Sequence, residues 1–312
     1  MRKHTIVIIL FVCVFVTIPF VRDAAAPPMP MPPNSVVVGT NSPDSQNFMG
    51  TPGSDSLILI GLDGGDNQSF DAGDGNDSAI LIGGSGIDFQ QVNCGEGDDM
   101  VHINGGPVTP GGLCLDTQNV EGDEGNDRIC QIGGIGSDSL SANGGDGDDR
   151  IVQNGGPSSD SMSANGGNGN DVIIQAGGPE DDFQDAVGGS DNDVIRQSGG
   201  TENDNMRADG EGGNNIIYQM GGNGNDTMTT LADSGNDIIR VSAGNGDDTL
   251  TYEASAGSDV VRIDCGQGTD TLTIIHNGNN FTVIAQPGGT TLVNGGGPPT
   301  INVFNCETVN IP

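Results

Sequence analysis

Aspartate recurs along this chain at a spacing of eleven residues. Carboxylates repeated at a fixed spacing are potential ligands for hard cations. Between Asp99 and Asp116 the spacing is one period plus six residues, which predicts a six-residue loop around residues 107–112. The positions are Asp55, Asp66, Asp77, Asp88 and Asp99, then Asp116, Asp127, Asp138, Asp149, Asp160, Asp171, Asp182, Asp193 and Asp204, and, after Asn215, Asp226, Asp237, Asp248, Asp259 and Asp270.

The residues around each aspartate predict a turn followed by a short strand. Glycine often stands two, four and five residues before the aspartate, as in residues 144–149 and 166–171. Glycine permits positive φ, and such clusters are typical of turns. The five residues after each aspartate alternate in polarity, as in a strand. Two residues after the aspartate, one set of alternate repeats carries Val or Ile, and the other mostly Leu or Met.

This alternation predicts a unit of 22 residues: turn, strand, turn, strand. We therefore expect an all-β protein, a parallel β-roll or β-solenoid of about ten 22-residue coils with two sheets and a β-rich C-terminal cap. Four residues after the aspartate, one face carries Gln131, Gln153, Gln175, Gln197 and Gln219, and the opposite face carries Ala142, Ala164, Ala186 and Ala208. Inward-facing glutamines could form a hydrogen-bonded ladder, as in cross-β structures. The alternative is that they point outward.

The N-terminus predicts export. Residues 1–26 combine a basic start, an apolar run and small residues at the end, which is typical of a signal peptide. An uncleaved anchor is the alternative. We expect a secreted protein, in the extracellular space or at the cell surface.

Three further segments follow the signal peptide. They are a Pro-rich spacer and N-terminal cap at 27–49, the repeats at 50–274, and the C-terminal cap at 275–312. Export makes disulfides plausible. The spacing suggests Cys265 with Cys306 and Cys94 with Cys114, although connectivity does not follow from sequence.

The charge of the chain favours cations as partners. Its formal net charge is −34, and no Lys occurs after Lys3. Nucleic acids and anionic membrane surfaces are therefore poor partners. Carboxylates about 5 Å apart in a row repel each other by roughly 1–3 kcal/mol per contact, so the rows need neutralisation. Calcium accepts six to eight oxygen ligands, including main-chain carbonyls. Metal-free Asp-Gly turns are the alternative.

The turns resemble the nonapeptide GGxGxDxUx of RTX (haemolysin-type) calcium-binding repeats. The full matches are GGIGSDSLS (133–141), GGDGDDRIV (144–152), GGNGNDVII (166–174) and GGNGNDTMT (221–229). The resemblance covers roughly residues 50–274 and implies a roll that binds Ca2+ through the aspartate and turn carbonyls after export. The implied metal ligands are Asp77, Asp88, Asp99, Asp127, Asp138, Asp149, Asp171, Asp226, Asp237, Asp248, Asp259 and Asp270.

The chain departs from that family in two ways. Its half-repeat has eleven residues where the family has nine, which predicts a wider roll. The glycine two residues before the aspartate is also replaced in several turns. These replacements put the calcium sites beside them in doubt, and Asn215 does the same for its own turn. The replacing residues are Cys114, Ser158, Glu180, Asp191 and Glu202.

The outer faces suggest partners. One sheet should carry an exposed apolar stripe, which predicts self-association, with burial under the C-terminal cap as the alternative. The stripe is Val172, Val194, Ile216, Ile238 and Val260.

Two functions remain open. The first is a calcium-dependent structural or adhesive role at the cell surface or in the extracellular matrix. The second is a soluble, calcium-loaded binder of glycan or ice that uses an outer sheet face. Thr-x-Thr rungs on the other sheet are the feature that suggests ice. We expect no enzymatic activity, because neither His102 nor His276 has a catalytic motif around it.

Overall fold

A computed structural model describes residues 29–30, 34–40, 42–62, 64–106, 115–254, 257–275, 281–286, 289–294 and 300–312. The described part is all-β, with no helix. No helix that could span a membrane was therefore found in those ranges. The predicted signal peptide at 1–26 lies outside them.

The strands are, in chain order, β1 (Met29–Pro30), β2 (Ser35–Val38), β3 (Ser45–Met49), β4 (Ser56–Ile60), β5 (Asn67–Asp71), β6 (Ser78–Ile82), β7 (Phe89–Asn93), β8 (Met100–Asn104), β9 (Thr117–Glu121), β10 (Arg128–Ile132), β11 (Ser139–Asp146), β12 (Arg150–Asn154), β13 (Ser161–Asn168) and β14 (Val172–Ala176). They continue as β15 (Phe183–Ser190), β16 (Val194–Gly200), β17 (Asn205–Glu211), β18 (Ile216–Asn223), β19 (Thr227–Leu231), β20 (Ile238–Asn245), β21 (Thr249–Glu253), β22 (Val260–Gln267), β23 (Thr271–Ile275), β24 (Phe281–Gln286), β25 (Gly289–Asn294), β26 (Thr300–Phe304) and β27 (Thr308–Asn310).

Successive strands go alternately to two sheets, which confirms the predicted β-solenoid. Sheet 1 contains the odd-numbered strands up to β23 and then β27; sheet 2 contains the even-numbered strands and β25. Neighbouring strands within the coils pair in parallel, 22 residues apart, as Ile151 does with Ile173. The separation is 28 residues between Val101 and Ile129, which accounts for the predicted six-residue insertion. The predicted loop around residues 107–112 lies outside the described residues.

The core is a thin layer between the two sheets, formed by the positions two and four residues after each aspartate. Most strands alternate between buried and less buried residues, as the pleat of a strand requires. Ile151, Ile173 and Ile195 on sheet 2 are fully buried, and so are Met162 and Met206 on sheet 1. Each coil contributes equivalent residues, so the core is repeated from coil to coil along the axis.

The inner glutamines form the expected ladder. The Nε2 of Gln175 donates to Oε1 of Gln153 at 2.8 Å and to the carbonyl oxygen of Asp185, on sheet 1, at 2.9 Å. Gln197 repeats both bonds one coil later, to Gln175 and to the carbonyl oxygen of Arg207. The alanines opposite are short enough for the amides to reach the other sheet. The alternative in which these glutamines point outward is wrong, because their exposed fractions are 2% or less.

The two ends of the solenoid differ. Strands β1 to β3 already pair in parallel with the first coils, so the sheets extend into the segment predicted as spacer and N-terminal cap. At the other end, β26 and β27 add a last coil in parallel register to β22 and β23. Strands β25 and β24 continue sheet 2 in antiparallel pairing. This hairpin covers the sheet 2 edge of the last coil, while β27 is the terminal strand of sheet 1.

One of the two predicted disulfides is present. Cys265 and Cys306 are bonded and link β22 to the C-terminal segment. Cys94 is a buried free thiol, so the predicted bond to Cys114 is not formed. Cys114 itself lies outside the described residues. Cys94 occupies the position five residues before Asp99, where most turns have glycine. A small buried residue is what this position requires, and a thiol satisfies that requirement without a bond.

Replacement of one ladder glutamine tests the core. Gln175→Leu removes the acceptor of Gln197 and the donor to Gln153 without creating a large cavity. We expect the free energy of unfolding to fall by about 1–3 kcal/mol, because buried polar groups lose their partners. Urea denaturation measures this. The control is Asn154→Ala at an exposed position of sheet 2, for which we expect a change within about 0.5 kcal/mol. Equal effects of both variants would contradict the ladder's role.

Candidate metal-binding turns

The repeated aspartates form two rows, one along each edge of the solenoid. Row 1 precedes the strands of sheet 1, and row 2 precedes those of sheet 2. All twenty positions of the repeat are buried, with exposed fractions between 0% and 5%. Row 1 is Asp66, Asp88, Asp116, Asp138, Asp160, Asp182, Asp204, Asp226, Asp248 and Asp270; row 2 is Asp55, Asp77, Asp99, Asp127, Asp149, Asp171, Asp193, Asn215, Asp237 and Asp259.

In every aspartate of the two rows except Asp55, one carboxylate oxygen holds two coils together. The main-chain N–H of Asp149 donates to Oδ1 of Asp171 at 2.7 Å, and that of Asp171 donates to Oδ1 of Asp193 at 2.8 Å. The same bond continues through the turns that lack the usual glycine, where the main-chain N–H of Asp160 donates to Oδ1 of Asp182 at 2.7 Å. It also crosses the six-residue insertion, between Asp99 and Asp127. Sequence replacements in a turn therefore leave this ladder intact.

The row 1 ladder extends one residue further at each end than the sequence predicted. Asp44, eleven residues before Asp55, donates its N–H to Oδ1 of Asp66 at 3.1 Å. At the far end, Oε2 of Glu307 accepts the N–H of Asp270 at 2.8 Å. The period itself could have revealed Asp44. Glu307 has no such signal, because the chain between it and Asp270 leaves the repeat for the β24–β25 hairpin.

The second carboxylate oxygen, Oδ2, distinguishes two kinds of turn. In the turns of Asp55, Asp138 and Asp182 it accepts the N–H of the residue four positions earlier, at 2.5–2.6 Å. That residue has negative φ in each case. In twelve other turns the equivalent residue has positive φ, and Oδ2 is buried with no hydrogen-bond partner among the described residues. These open turns belong to Asp77, Asp99, Asp127, Asp149, Asp160, Asp171, Asp193, Asp204, Asp226, Asp237, Asp248 and Asp270.

Asn215 reveals what surrounds Oδ2 in an open turn. Its turn has the same form, with positive φ at Glu211 and Gly213. Its Nδ2 donates to the carbonyl oxygens of Gly210 at 3.0 Å and Gly212 at 3.1 Å. An aspartate in this place directs an oxygen towards two other oxygens. Such a contact needs a proton or a cation between the oxygens, because acceptors alone leave the buried carboxylate uncompensated.

Glycine is required in the open turns by the close approach of neighbouring coils. A Cβ added at Gly147, where φ is +138°, would lie 1.7 Å from the carbonyl oxygen of Gly125 in the preceding coil. The stacked coils therefore bring main-chain carbonyl groups of adjacent turns close together at each edge.

Burial raises the pKa of most row carboxyls above the ordinary value of 3.8, and it is a larger cause than repulsion between neighbouring aspartates. The main-chain N–H bound by Oδ1 acts in the opposite direction. Mutual repulsion, the cost expected from the spacing of the aspartates alone, is the smaller contribution because the carboxylates lie deep inside the corners. The pKa is raised to about 6 for Asp88, Asp99, Asp149, Asp193 and Asp226, and to about 7 for Asp116, Asp127, Asp160, Asp171, Asp204 and Asp237.

The twelve aspartates predicted to bind calcium do not all lie in open turns. Asp138 has its Oδ2 bound to the N–H of Gly134, and Oδ2 of Asp259 accepts the hydroxyl of Tyr252 at 3.3 Å. Asp88 is intermediate, since the amide of Gly84 lowers its pKa although Oδ2 has no well-formed hydrogen bond. The remaining nine are in open turns, as are Asp160, Asp193 and Asp204, whose turns were doubtful in the sequence.

An outer ladder runs along both rows, one residue before the aspartates. The N–H of Asn170 donates to Oδ1 of Asp148 at 2.8 Å, and that of Asn214 donates to Oδ1 of Asn192 at 2.9 Å. These bonds point from a later coil to an earlier one, opposite to the buried ladder. The residue pattern does not reveal this ladder, because Asn, Asp and Ser all serve in it and no single residue type repeats.

The chemistry of the open turns fits a calcium-sized cation with mainly main-chain ligands. In the described ranges, no group of three or more His, Cys, Asp and Glu side chains could hold a metal ion. An ion in an open turn would therefore have the Oδ2 of an aspartate and carbonyl oxygens as its protein ligands. Calcium accepts such a set, whereas zinc prefers nitrogen and sulfur.

The predicted apolar stripe lies in register on the outer face of sheet 2, one residue per coil from Val172 to Val260. Ile238 is 40% exposed and Val260 is 59% exposed. The C-terminal strands continue sheet 2 and do not fold over its outer face, so the alternative in which the cap buries this end of the stripe is wrong.

No protein-family profile matches the chain, and no characterised protein gives a significant match to its sequence.

The raised pKa values predict an unusual pH dependence for the metal-free protein. Between about pH 4 and pH 7 the folded chain binds more protons than the unfolded chain, whose aspartates titrate near 3.8. Stability is therefore greatest at the acidic end of this range and is lost as the pH rises through 6–7. Urea denaturation at pH 5, 6, 7 and 8 with chelator should give a steadily decreasing free energy of unfolding. A flat or rising profile would show that the carboxyls are not buried as described.

Proposed function

We propose that this chain is an exported calcium-binding repeat protein with a structural or adhesive role at the cell surface or in the extracellular matrix. The observation that carries the proposal is the row of buried, unpartnered Oδ2 atoms in the open turns. At neutral pH outside a cell, a cation is the partner that allows these carboxylates to stay charged in the folded state. A bound calcium ion would supply positive charge inside each open turn.

Four further properties support the proposal. The likeness of the turns to RTX repeats associates this turn sequence with calcium, and the N-terminal residues have the character of a signal peptide. The repeated coils occupy nearly all of the described chain, which leaves little room for a separate catalytic domain. The net charge of −34 would oppose compaction without cations.

A matched pair of variants tests the calcium sites. Asp171→Asn, in an open turn, keeps the Oδ1 bond to Asp149 and turns a donor towards carbonyl oxygens, as Asn215 does. In chelator, we expect the free energy of unfolding of this variant to be about 1–3 kcal/mol higher than that of the parent. In calcium it should gain less stability than the parent. Asp182→Asn, where Oδ2 accepts the N–H of Gly178, should lose stability in both buffers.

The measurement is thermal or urea unfolding of the three proteins with calcium and with chelator. Calcium should raise the melting temperature of the parent, since binding only the folded chain stabilises it. Magnesium at the same concentration is the control, because its stricter octahedral geometry suits carbonyl-rich turns less well. If calcium fails to shift the parent's melting temperature, the proposal is wrong. Equal calcium responses in parent and Asp171→Asn would exclude this turn as a site.

The apolar stripe provides a test of the adhesive role. We propose that Val172, Val194, Ile216, Ile238 and Val260 pack against a second copy of the chain. Ile238→Lys places a charge in the exposed part of the stripe and should shift sedimentation towards the monomer in calcium. Thr249→Lys, on the outer face of sheet 1, is the matched control. A parent that is monomeric at all concentrations would exclude self-association through this stripe.

A further inference from the structure

The few basic residues of this acidic chain are concentrated on one face. Six arginines follow residue 26, and five of them lie on strands of sheet 2. All five are exposed: Arg128, Arg150, Arg196, Arg240 and Arg262. From β10 to β22 they span six strand spacings, about 29 Å along the axis. The outer face of sheet 2 is therefore a positive strip on a molecule whose edges are acidic.

Among the described residues, Arg262 is the only one of these five arginines that has a carboxylate partner. Arg262 binds Asp264 at 3.2 Å, and Arg207, on sheet 1, binds Asp185 at 3.0 Å and also Asp209. Among the described residues, neither Arg196 nor Arg240 has a carboxylate within ion-pair distance. Ser198 and Ser242 occupy the sheet positions that correspond to Asp264. The chain thus presents, beside Arg196 and Arg240, places where a carboxylate from outside could bind.

Tyr218 holds these two guanidinium groups in place. The Cζ atoms of Arg196 and Arg240 each lie 5.7 Å from the centroid of its ring, one in the coil before and one in the coil after. Arg262 is held in the same way, with its Cζ atom 4.0 Å from the centroid of the Phe304 ring. Stacking fixes side chains that would otherwise lose rotamer freedom on binding.

A groove runs beside this column. It has a volume of about 560 Å³, and Ala176, Ser198, Met220 and Ser242 line it together with Arg196 and Arg240. Its lining residues come from five consecutive strands, β14 to β22, so the groove follows the solenoid axis. An extended ligand would fit it better than a compact one.

We propose that this groove, the Arg196–Tyr218–Arg240 groove, binds a linear acidic polysaccharide that carries uronate carboxylates. The inference extends the proposed adhesive role by giving it a ligand class. The groove itself is built from strand residues and requires no calcium.

The spacing of the charges favours this ligand over other polyanions. Arg196 and Arg240 are two strands apart, about 10 Å. A polysaccharide with a uronate on every second sugar places its carboxylates at a similar spacing, and its ring C–H groups can pack on Ala176 and Met220. Acidic side chains on one face of an extended peptide recur at about 7 Å. Nucleic acids carry a denser charge, which the acidic edges of the solenoid would repel.

The test is calorimetric titration of the folded chain with a hyaluronate oligosaccharide, in calcium and in chelator, with neutral dextran as the blank. The double variant Arg196→Gln/Arg240→Gln should weaken binding about tenfold or more, because it removes two charge-assisted contacts. The control Arg128→Gln/Arg150→Gln loses the same charge on the same face, outside the groove, and should weaken binding less than about threefold. Circular dichroism of both variants checks that the solenoid is retained.

Each outcome decides the proposal. Hyaluronate binding that depends on Arg196 and Arg240 supports it, with or without calcium, so failure of the calcium sites is recognised separately by the missing melting shift. Absence of hyaluronate binding overturns it, as does an equal loss in both double variants. Binding of dextran sulfate or single-stranded DNA without hyaluronate overturns the uronate assignment. A chain whose only partner for this face is a second copy, seen as sedimentation sensitive to Arg196→Gln/Arg240→Gln, also overturns it.

Discussion

The hydrogen bond from a main-chain N–H to the Oδ1 of the aspartate in the next coil is the interaction on which the rest of the structure depends. It fixes the register of both sheets at every turn, as between Asp149 and Asp171, and it survives an insertion and several altered turns. A side chain with a terminal oxygen acceptor is needed, because that oxygen must reach the next coil from inside the corner. Asparagine can make this bond, as Asn215 does, but it changes the chemistry of the other atom.

That requirement creates an electrostatic conflict that the fold must resolve. The ladder needs a carboxylate or amide in a buried corner, and a buried carboxylate is costly unless its second oxygen is compensated. The chain uses several solutions: an amide of its own turn at Asp182, a hydroxyl at Asp259, and a natural amide side chain at Asn215. Twelve turns use none of these. The open turns are thus where the protein depends on its surroundings, through pH or through cations.

The periodic features of the sequence predicted the architecture well. Asp at every eleventh residue gave the 22-residue coil, and Gln153 and its equivalents gave the inner ladder, because strict repetition leaves one way to stack. Features that break the period were harder. Glu307 acts as a ladder residue only because the chain returns to the stack after a hairpin, and Cys94 serves as a small residue without a disulfide. The difference between the turns of Asp171 and Asp182 depends on main-chain φ, which the glycine pattern indicates only in part.

The six-residue insertion between Asp99 and Asp127 has a consequence for how such molecules diversify. The strands on either side pair in the same register as all the others, and the buried bond crosses the gap unchanged. A corner of the rod can therefore accept additional chain without any adjustment of its interior. Length at the corners and composition of the flat faces are independent variables, so new recognition loops can evolve on this scaffold while its folding information stays the same.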